Sequence, residues 1–256
     1  MKKLVNMEIL ENVSISPSVN LLSMRPLENG LLPLMQPGQF ANIEIDCKDV
    51  FLRRPISICD YIPARNIVKF AVRRAGKGTE FLASSKVGSI LNILLPLGNG
   101  FTLPGESGCN ILLIGGGVGS APLLLLAKWL KSLDVSFEIL LGAKTADEVI
   151  LKDEFDALAH VHVSTDDGSL GSQGYVHFNP VLQNGEWNQL YVCGPMPMMR
   201  AVSQLAREKN IACQVSLENK MACGMGACLC CVEDTIKGNR CTCVDGPVFD
   251  INSLKW

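Results

Sequence analysis

Ile111-Leu-Leu-Ile-Gly-Gly-Gly-Val-Gly-Ser-Ala-Pro122 is the stretch on which the fold turns. Four aliphatic residues in a row suit a strand buried on both faces, and the glycines break it before an apolar helix running to about Leu130. Strand, glycine turn and helix in that order form the context of a phosphate-binding turn, where N–H groups at the helix start face the anion. The loop departs from G-x-G-x-x-G, because Ser120 and Pro122 stand where a last glycine is expected. On these residues alone, a dinucleotide-binding turn and a merely close-packed βα turn both stay open. Strands expected at 136–141, 161–164 and 190–192 alternate with helices at 146–158 and 196–209, which reads as a doubly wound α/β unit.

Upstream the pattern differs. Between Leu4 and Leu97, short runs of Val, Ile, Leu and Phe are separated by Pro, Gly and Asn, the signature of an antiparallel barrel or sandwich. Strands are expected at 40–45, 56–61 and 67–74, with a short helix at 79–84 behind Ala75-Gly-Lys-Gly78. The change of pattern after Pro96-Leu-Gly-Asn-Gly-Phe101 and Pro104 places a boundary near 101–107. A third region, 213–256, is too short for a large core of its own.

With 256 residues, 48% hydrophobic and 19% charged, the chain can bury substantial cores and is not disordered. Its 23 basic and 25 acidic residues leave no cationic excess for a polyphosphate backbone, so no nucleic-acid partner is expected. No segment reaches the roughly 20 apolar residues of a membrane span; the nearest candidate, 121–130, is short and carries Lys128. Asn6 and Glu8 stand where a signal peptide would be apolar, so the expected compartment is the cytoplasm.

Eleven cysteines, an odd number with no export signal, argue against a disulfide framework. Six crowd into Met221-Ala-Cys-Gly-Met-Gly-Ala-Cys-Leu-Cys-Cys231 and Arg240-Cys-Thr-Cys243. Cys223, Cys228 and Cys231 give C-x4-C-x2-C, the first three ligands of a plant-type 2Fe-2S centre, with Cys243 or Cys241 as the fourth. Small residues Gly224, Gly226 and Ala227 let backbone N–H groups turn towards the anionic sulfur. Zinc is the rival metal, although its knuckles usually pair ligands differently. Cys230 and Cys241 are read as packing residues beside the ligands.

The order of these regions resembles a ferredoxin reductase-like electron-transfer chain. Leu52-Arg-Arg-Pro-Ile-Ser-Ile58 is similar to that superfamily's flavin-binding R-x-[YFI]-[ST] motif, preceded by Pro37-Gly-Gln-Phe40, and Tyr191-Val-Cys-Gly-Pro-Met196 resembles its turn near the nicotinamide. A sharper resemblance covers essentially the whole chain. Ser216-Leu-Glu-Asn-Lys-Met-Ala-Cys-Gly-Met-Gly-Ala-Cys-Leu229, Cys243-Val-Asp-Gly-Pro-Val-Phe249, Arg53-Arg-Pro-Ile-Ser57, Pro96-Leu-Gly-Asn-Gly-Phe101 and Thr165-Asp-Asp-Gly-Ser169 resemble the electron-transfer subunits of type B dihydroorotate dehydrogenase.

That resemblance implies an FAD-binding β-barrel domain at 1–101, an NAD-binding α/β domain at 102–212 and a 2Fe-2S module at 213–256. Arg54 would pair with the FAD pyrophosphate, with a surface ion pair as the plainer alternative, and Pro55, Ile56 and Ser57 would approach the flavin. Ala71, Val72 and Arg73 would line it through their backbone. Gly78 and Thr79 would meet the second phosphate, although a simple helix cap explains Thr79 almost as well. Gly115, Gly116, Gly117, Gly119, Cys193, Gly194 and Pro195 would hold NAD, while Cys223, Cys228, Cys231 and Cys243 would hold the cluster. The family commonly has glycine where this chain has Cys230.

The resemblance further implies that dihydroorotate is oxidised on a separate FMN-containing catalytic subunit, with electrons crossing the cluster and FAD to NAD+, and orotate made for UMP and pyrimidine biosynthesis. The expected assembly is a heterotetramer of two subunits of each kind. This chain has no room for the catalytic site as well, since a (β/α)8 barrel alone takes about 250 residues. Its own chemistry needs no acid–base residue, so His160, His162 and His177 read as structural. Alternatives are a related sulfide dehydrogenase or ferredoxin-NADP reductase subunit, and a zinc-organised scaffold without flavin. Glu138 and Lys144 do not decide between NAD and NADP.

Overall fold

The computed structural model describes residues 1–28, 30–104 and 108–256; residues 105–107, within the expected boundary, lie outside the described residues. Seven strands form the first sheet: β1 (Lys3–Ser16), β2 (Val19–Pro26), β3 (Phe40–Ile43), β4 (Arg54–Ser57), β5 (Asp60–Ile62), β6 (Ile67–Arg73) and β7 (Ile90–Leu97). Their order is β4-β3-β7-β1-β2-β6-β5 and every pairing is antiparallel. Alternation sets the inside: on β7 Leu91, Ile93 and Leu95 are buried, and Met7 and Ile9 of neighbouring β1 join the same core. A short helix, α1 (Lys77–Ser84), follows β6.

The single strand expected at 56–61 is two strands on opposite edges of this sheet. Ile58 N–H donates to Gln39 O on the β3 side, and the next residue, Cys59, donates to Lys69 O on β6. Two fully buried residues thus hand the chain from one edge to the other, which requires the sheet to curl until its edges adjoin.

The second sheet contains β8 (Ile111–Gly116), β9 (Phe137–Ala143), β10 (His160–Thr165), β11 (Ser172–Gln173), β12 (Gln189–Cys193), β13 (Ala212–Ser216) and, after the hairpin β14 (Val232–Thr235) and β15 (Gly238–Cys241), β16 (Val248–Asp250). Its order is β11-β10-β9-β8-β12-β13-β16, parallel throughout except for β16. Helices α2 (Ala121–Ser132), α3 (Lys152–Asp156), α4 (Pro180–Asn184) and α5 (Met196–Glu208) connect the strands. The chain leaves β8 for β9 on one side and later returns to β12 on the other, so the strand order reverses at the carboxyl ends of β8 and β12.

The helix expected at 146–158 is broken into a 3-10 turn, Ala146–Glu148, and the short α3. Ile150 and Leu151 are buried, and Leu151 adopts φ +59° to point inward, which ends the first turn before the helix can form. Helix α2 is apolar almost all round because it is covered on both sides: most of it joins the core of the second sheet, while Leu125 joins the barrel core. Lys128 on α2 reaches the buried carboxylate of Asp60 on β5 at 2.6 Å, a charged tie between barrel and nucleotide unit. The last region is grafted onto both: β16 extends the second sheet, and Asn99 at the barrel exit donates to the carbonyls of Val244 and Asp245.

Candidate functional site

Two cavities of about 480 Å³ each, within the range of small-molecule sites, open at the strand-order reversal. The first is walled by Ser57 and Ala71 of the barrel, Gly116 and Gly194 of the two nucleotide turns, and Lys220 and Met221 just ahead of Cys223. The second lies over the ends of β9 and β10, between Lys144, Glu148, Asp166, Tyr175 and His177. Arg73, Gly116 and Pro195 line both, so molecules seated in the two cavities would meet at these residues.

Pro55, Ile56 and Thr79 also line the first cavity. Val72 is fully buried in the barrel core, leaving only its backbone for any ligand contact. Arg54 lies against the start of α1: a β-carbon on Gly78 would stand 2.6 Å from its Nε and would push the guanidinium from its present place. Its Nη1 donates to Leu52 O at 2.6 Å, while Nε and Nη2 have no protein acceptor among the described residues. Those two N–H groups beside a helix start are a fit for a phosphate pair. Thr79 Oγ1 accepts from the N–H groups of Ala75 and Gly76 and donates to Gly76 O, so it caps α1 where it stands.

Gly119 lines the first cavity and Gly117 the second, whereas Gly115 is buried beneath them against Ser120. Cys193 is buried behind Gly194, and burial holds its thiol well above the ordinary value, with the Glu218 carboxylate adding to the effect. Glu218 itself lines the open first cavity; it is exposed, yet desolvation by the cavity walls raises its pKa and the Arg73 charge opposes that rise. The sequence reading passed over Glu218, Lys220 and Met221 as site residues. A lone carboxylate carries no signal that it will line a cavity, although it stood in the quoted run beside the cysteines. Glu148 and Asp166 were missed for the same reason, while Glu138 is hydrogen bonded to His162 away from both cavities.

The four expected ligands gather as two pairs. Cys223 Sγ accepts from the N–H groups of Met225 and Cys228, each at 3.4 Å, and contacts the Cys228 thiol. These donors bring the Cys223 thiol down to about 6, favouring thiolate. Cys231 Sγ accepts from Cys243 N–H at 3.4 Å, and the Cys243 thiol, pushed up to about 12 chiefly by burial, contacts the same sulfur. Cys231 and Cys243 sit in a small core with Phe40 and Leu97 of the barrel, whereas Cys228 is exposed. Asn42 on β3 donates to Cys223 O at 3.3 Å, tying the cysteine loop to the flavin-side barrel. Among the described residues no three His, Cys, Asp or Glu side chains converge on one ion position. Two thiol pairs are what a binuclear centre asks for, with two ligands to each iron, so the donor set fits 2Fe-2S.

Comparisons with known proteins agree with this geometry. A family description, iron-sulfur cluster binding domain of dihydroorotate dehydrogenase B, matches residues 218–255, and another, oxidoreductase NAD-binding domain, matches residues 113–204. A protein from Fusobacterium nucleatum named dihydroorotate dehydrogenase B (NAD(+)), electron transfer subunit, is 38% identical over 259 residues, covering 96% of each chain. One of the same name from Caldanaerobacter subterraneus is 43% identical, covering 83% of this chain and 84% of its own. This chain belongs to the family of dihydroorotate dehydrogenase B electron transfer subunits.

Within that family frame, a solved structure described as an NADH-dependent reduced ferredoxin-NADP oxidoreductase superposes with TM-score 0.86 at 31% identity, covering 97% of this chain and 89% of the other. The FAD/NAD-binding domain of a Vibrio cholerae nitric oxide dioxygenase, at 22% identity and TM-score 0.73 over 81% of this chain and 94% of its own, shares the fold. Among the described residues of this dihydroorotate dehydrogenase B family member, no helix is long and apolar enough to cross a membrane.

Proposed function

We propose that this chain, in the cytoplasm, passes electrons from dihydroorotate, oxidised on an FMN-containing partner subunit, through a 2Fe-2S cluster and FAD to NAD+, so that orotate is made for pyrimidine biosynthesis. The observation that carries this reading is the first cavity, walled at once by the barrel, the nucleotide turns and the residues leading into the cysteine loop. A flavin there exchanges electrons singly with an iron-sulfur centre or in pairs, as hydride, with a nicotinamide.

The residues divide the work. Arg54, with the N-terminal turn of α1 at Gly78 and Thr79, would hold the FAD pyrophosphate. Pro55, Ile56, Ser57 and the backbone of Ala71, Val72 and Arg73 would seat the flavin ring. Gly115, Gly116, Gly117 and Gly119, facing Cys193, Gly194 and Pro195, would bring the nicotinamide to the shared edge of the two cavities. Cys223, Cys228, Cys231 and Cys243 would ligate the cluster. The corresponding divisions are 1–101, 102–212 and 213–256, with β13 and β16 lending the last of these to the nucleotide sheet. The assembly proposed is two of these chains with two catalytic subunits.

The oxidoreductase relative with TM-score 0.86 favours a second reading, a flavin and iron-sulfur subunit serving another partner. Cys223→Ser, in the complex with the catalytic subunit, tests the proposal. It should lose iron and dihydroorotate-linked NAD+ reduction while NADH still reduces the flavin. Retention of full iron and dihydroorotate turnover would remove Cys223 from the ligand set.

A further inference from the structure

A fifth cysteine, Cys241, packs beside the four expected ligands. Cys241 ends β15 opposite Val232, the residue after Cys231, and packs on the small core that contains Cys231 and Cys243. Its thiol contacts the Cys231 sulfur, the same sulfur that the Cys243 thiol and N–H approach. The segment is pinned in that arrangement. Thr242 N–H donates to Cys231 O at 2.9 Å, Cys241 N–H donates to Asp245 Oδ2 at 2.8 Å, and the N–H groups of Val244 and Asp245 return to Cys241 O. Past Cys241 the chain leaves β15 in a turn, with fully buried Thr242 standing between Cys241 and the buried Cys243.

Resting on the proposed 2Fe-2S site, we infer that Cys241 is a reserve ligand, able to take the place of Cys243 on the iron that Cys231 holds. In the exchange the bond from iron to the Cys243 sulfur breaks and that sulfur takes up a proton. A bond from iron to the Cys241 sulfur forms as the Cys241 thiol releases its proton to water. No electron is gained or lost, and each iron keeps two thiolates. Because β15 ends at Cys241 and a single residue separates the two cysteines, the swap needs rearrangement of the 242–245 turn and not of β15. Cys230 has no such place: it is exposed and is not part of the small core on which Cys241 packs. The excess cysteine at 241 therefore has a chemical use that packing alone does not supply.

The test is anaerobic reconstitution of the full chain, with flavin content recorded as the check on folding. Iron and acid-labile sulfide per chain, and the EPR spectrum after reduction, are compared for the parent, Cys241→Ala, Cys243→Ala and the double variant. Cys241→Ala should carry iron and sulfide like the parent. Cys243→Ala should also load, with shifted g-values, and the double variant should lose its iron. A Cys243→Ala protein that keeps flavin yet is as empty as the double variant would overturn the inference while leaving the cluster assignment intact. A parent that takes up no iron would instead overturn the cluster itself. Should Cys243→Ala fail to retain flavin, near-isosteric Cys243→Ser is used with and without Cys241→Ala. Different EPR spectra for that pair support Cys241 ligation, and identical loaded spectra show the serine oxygen in its place.

Discussion

Gly119 and Gly194 meet backbone to backbone: a β-carbon on Gly119 would stand 2.6 Å from both N and Cα of Gly194. The two turns that close the strand-order reversal are interlocked, and neither can move outward without opening the wall between the cavities. Gly119→Ala should therefore slow reduction of the flavin by NADH by roughly ten- to a hundredfold through misplacement of the nicotinamide. FAD and iron contents should stay at parental levels. A parental rate in stopped-flow reduction would show that the contact is not needed for hydride transfer.

Among the described residues, Nε and Nη2 of Arg54, beside Gly78, have no protein acceptor. Charge-assisted bonds from such groups contribute about 1.5–3 kcal/mol each, so Arg54→Ala should weaken FAD retention by at least about tenfold. Equilibrium binding to the flavin-depleted protein measures it, and an unchanged affinity would take the pyrophosphate away from Arg54.

Desolvation at the cavity wall raises the pKa of Glu218, which is exposed there, with Arg73 opposing, so the folded chain holds this proton more tightly than the unfolded chain does. Its contribution to stability is complete below the ordinary glutamate value of about 4.3 and is lost as pH rises through the raised folded value. Relative to Glu218→Gln, the parent should therefore lose melting temperature on going from acid towards neutral pH. Parallel melting curves across that range would contradict a proton-holding carboxyl group at the cavity wall.

The Lys128 ammonium is the partner of an Asp60 carboxylate that is only 2% exposed. Removing the cation leaves that charge buried with the Tyr61 N–H as its remaining donor. Lys128→Ala should cost about 3 kcal/mol in urea unfolding. A loss within ordinary surface scatter would mean that water replaces the ammonium without penalty.

Much of the architecture was legible because it rests on local pattern. The run Ile111–Gly116 announced a strand buried on both faces, and the punctuated strands before residue 97 announced an antiparallel barrel or sandwich. What stayed hidden depends on long-range contacts. Nothing local in 56–61 shows that Ile58 and Cys59 pair with opposite edges of one sheet, and helix propensity in 146–158 gives no sign that Ile150 and Leu151 must turn into the core. At the site, spacing chose Cys223, Cys228 and Cys231, since ligand geometry is written in x4 and x2 gaps. Glu218 became visible only when β13 carried it to the cavity wall, and the place of Cys241 only when the β14–β15 hairpin folded it onto Cys231.

The account turns on electrons entering from dihydroorotate and leaving to NAD+. Its most direct test is the visible spectrum of the anaerobically purified complex with the catalytic subunit, recorded before and after dihydroorotate and, separately, NADH. The account predicts flavin bands on a broad iron-sulfur shoulder, bleached by either reductant. Bands that NADH bleaches and dihydroorotate leaves untouched would contradict it.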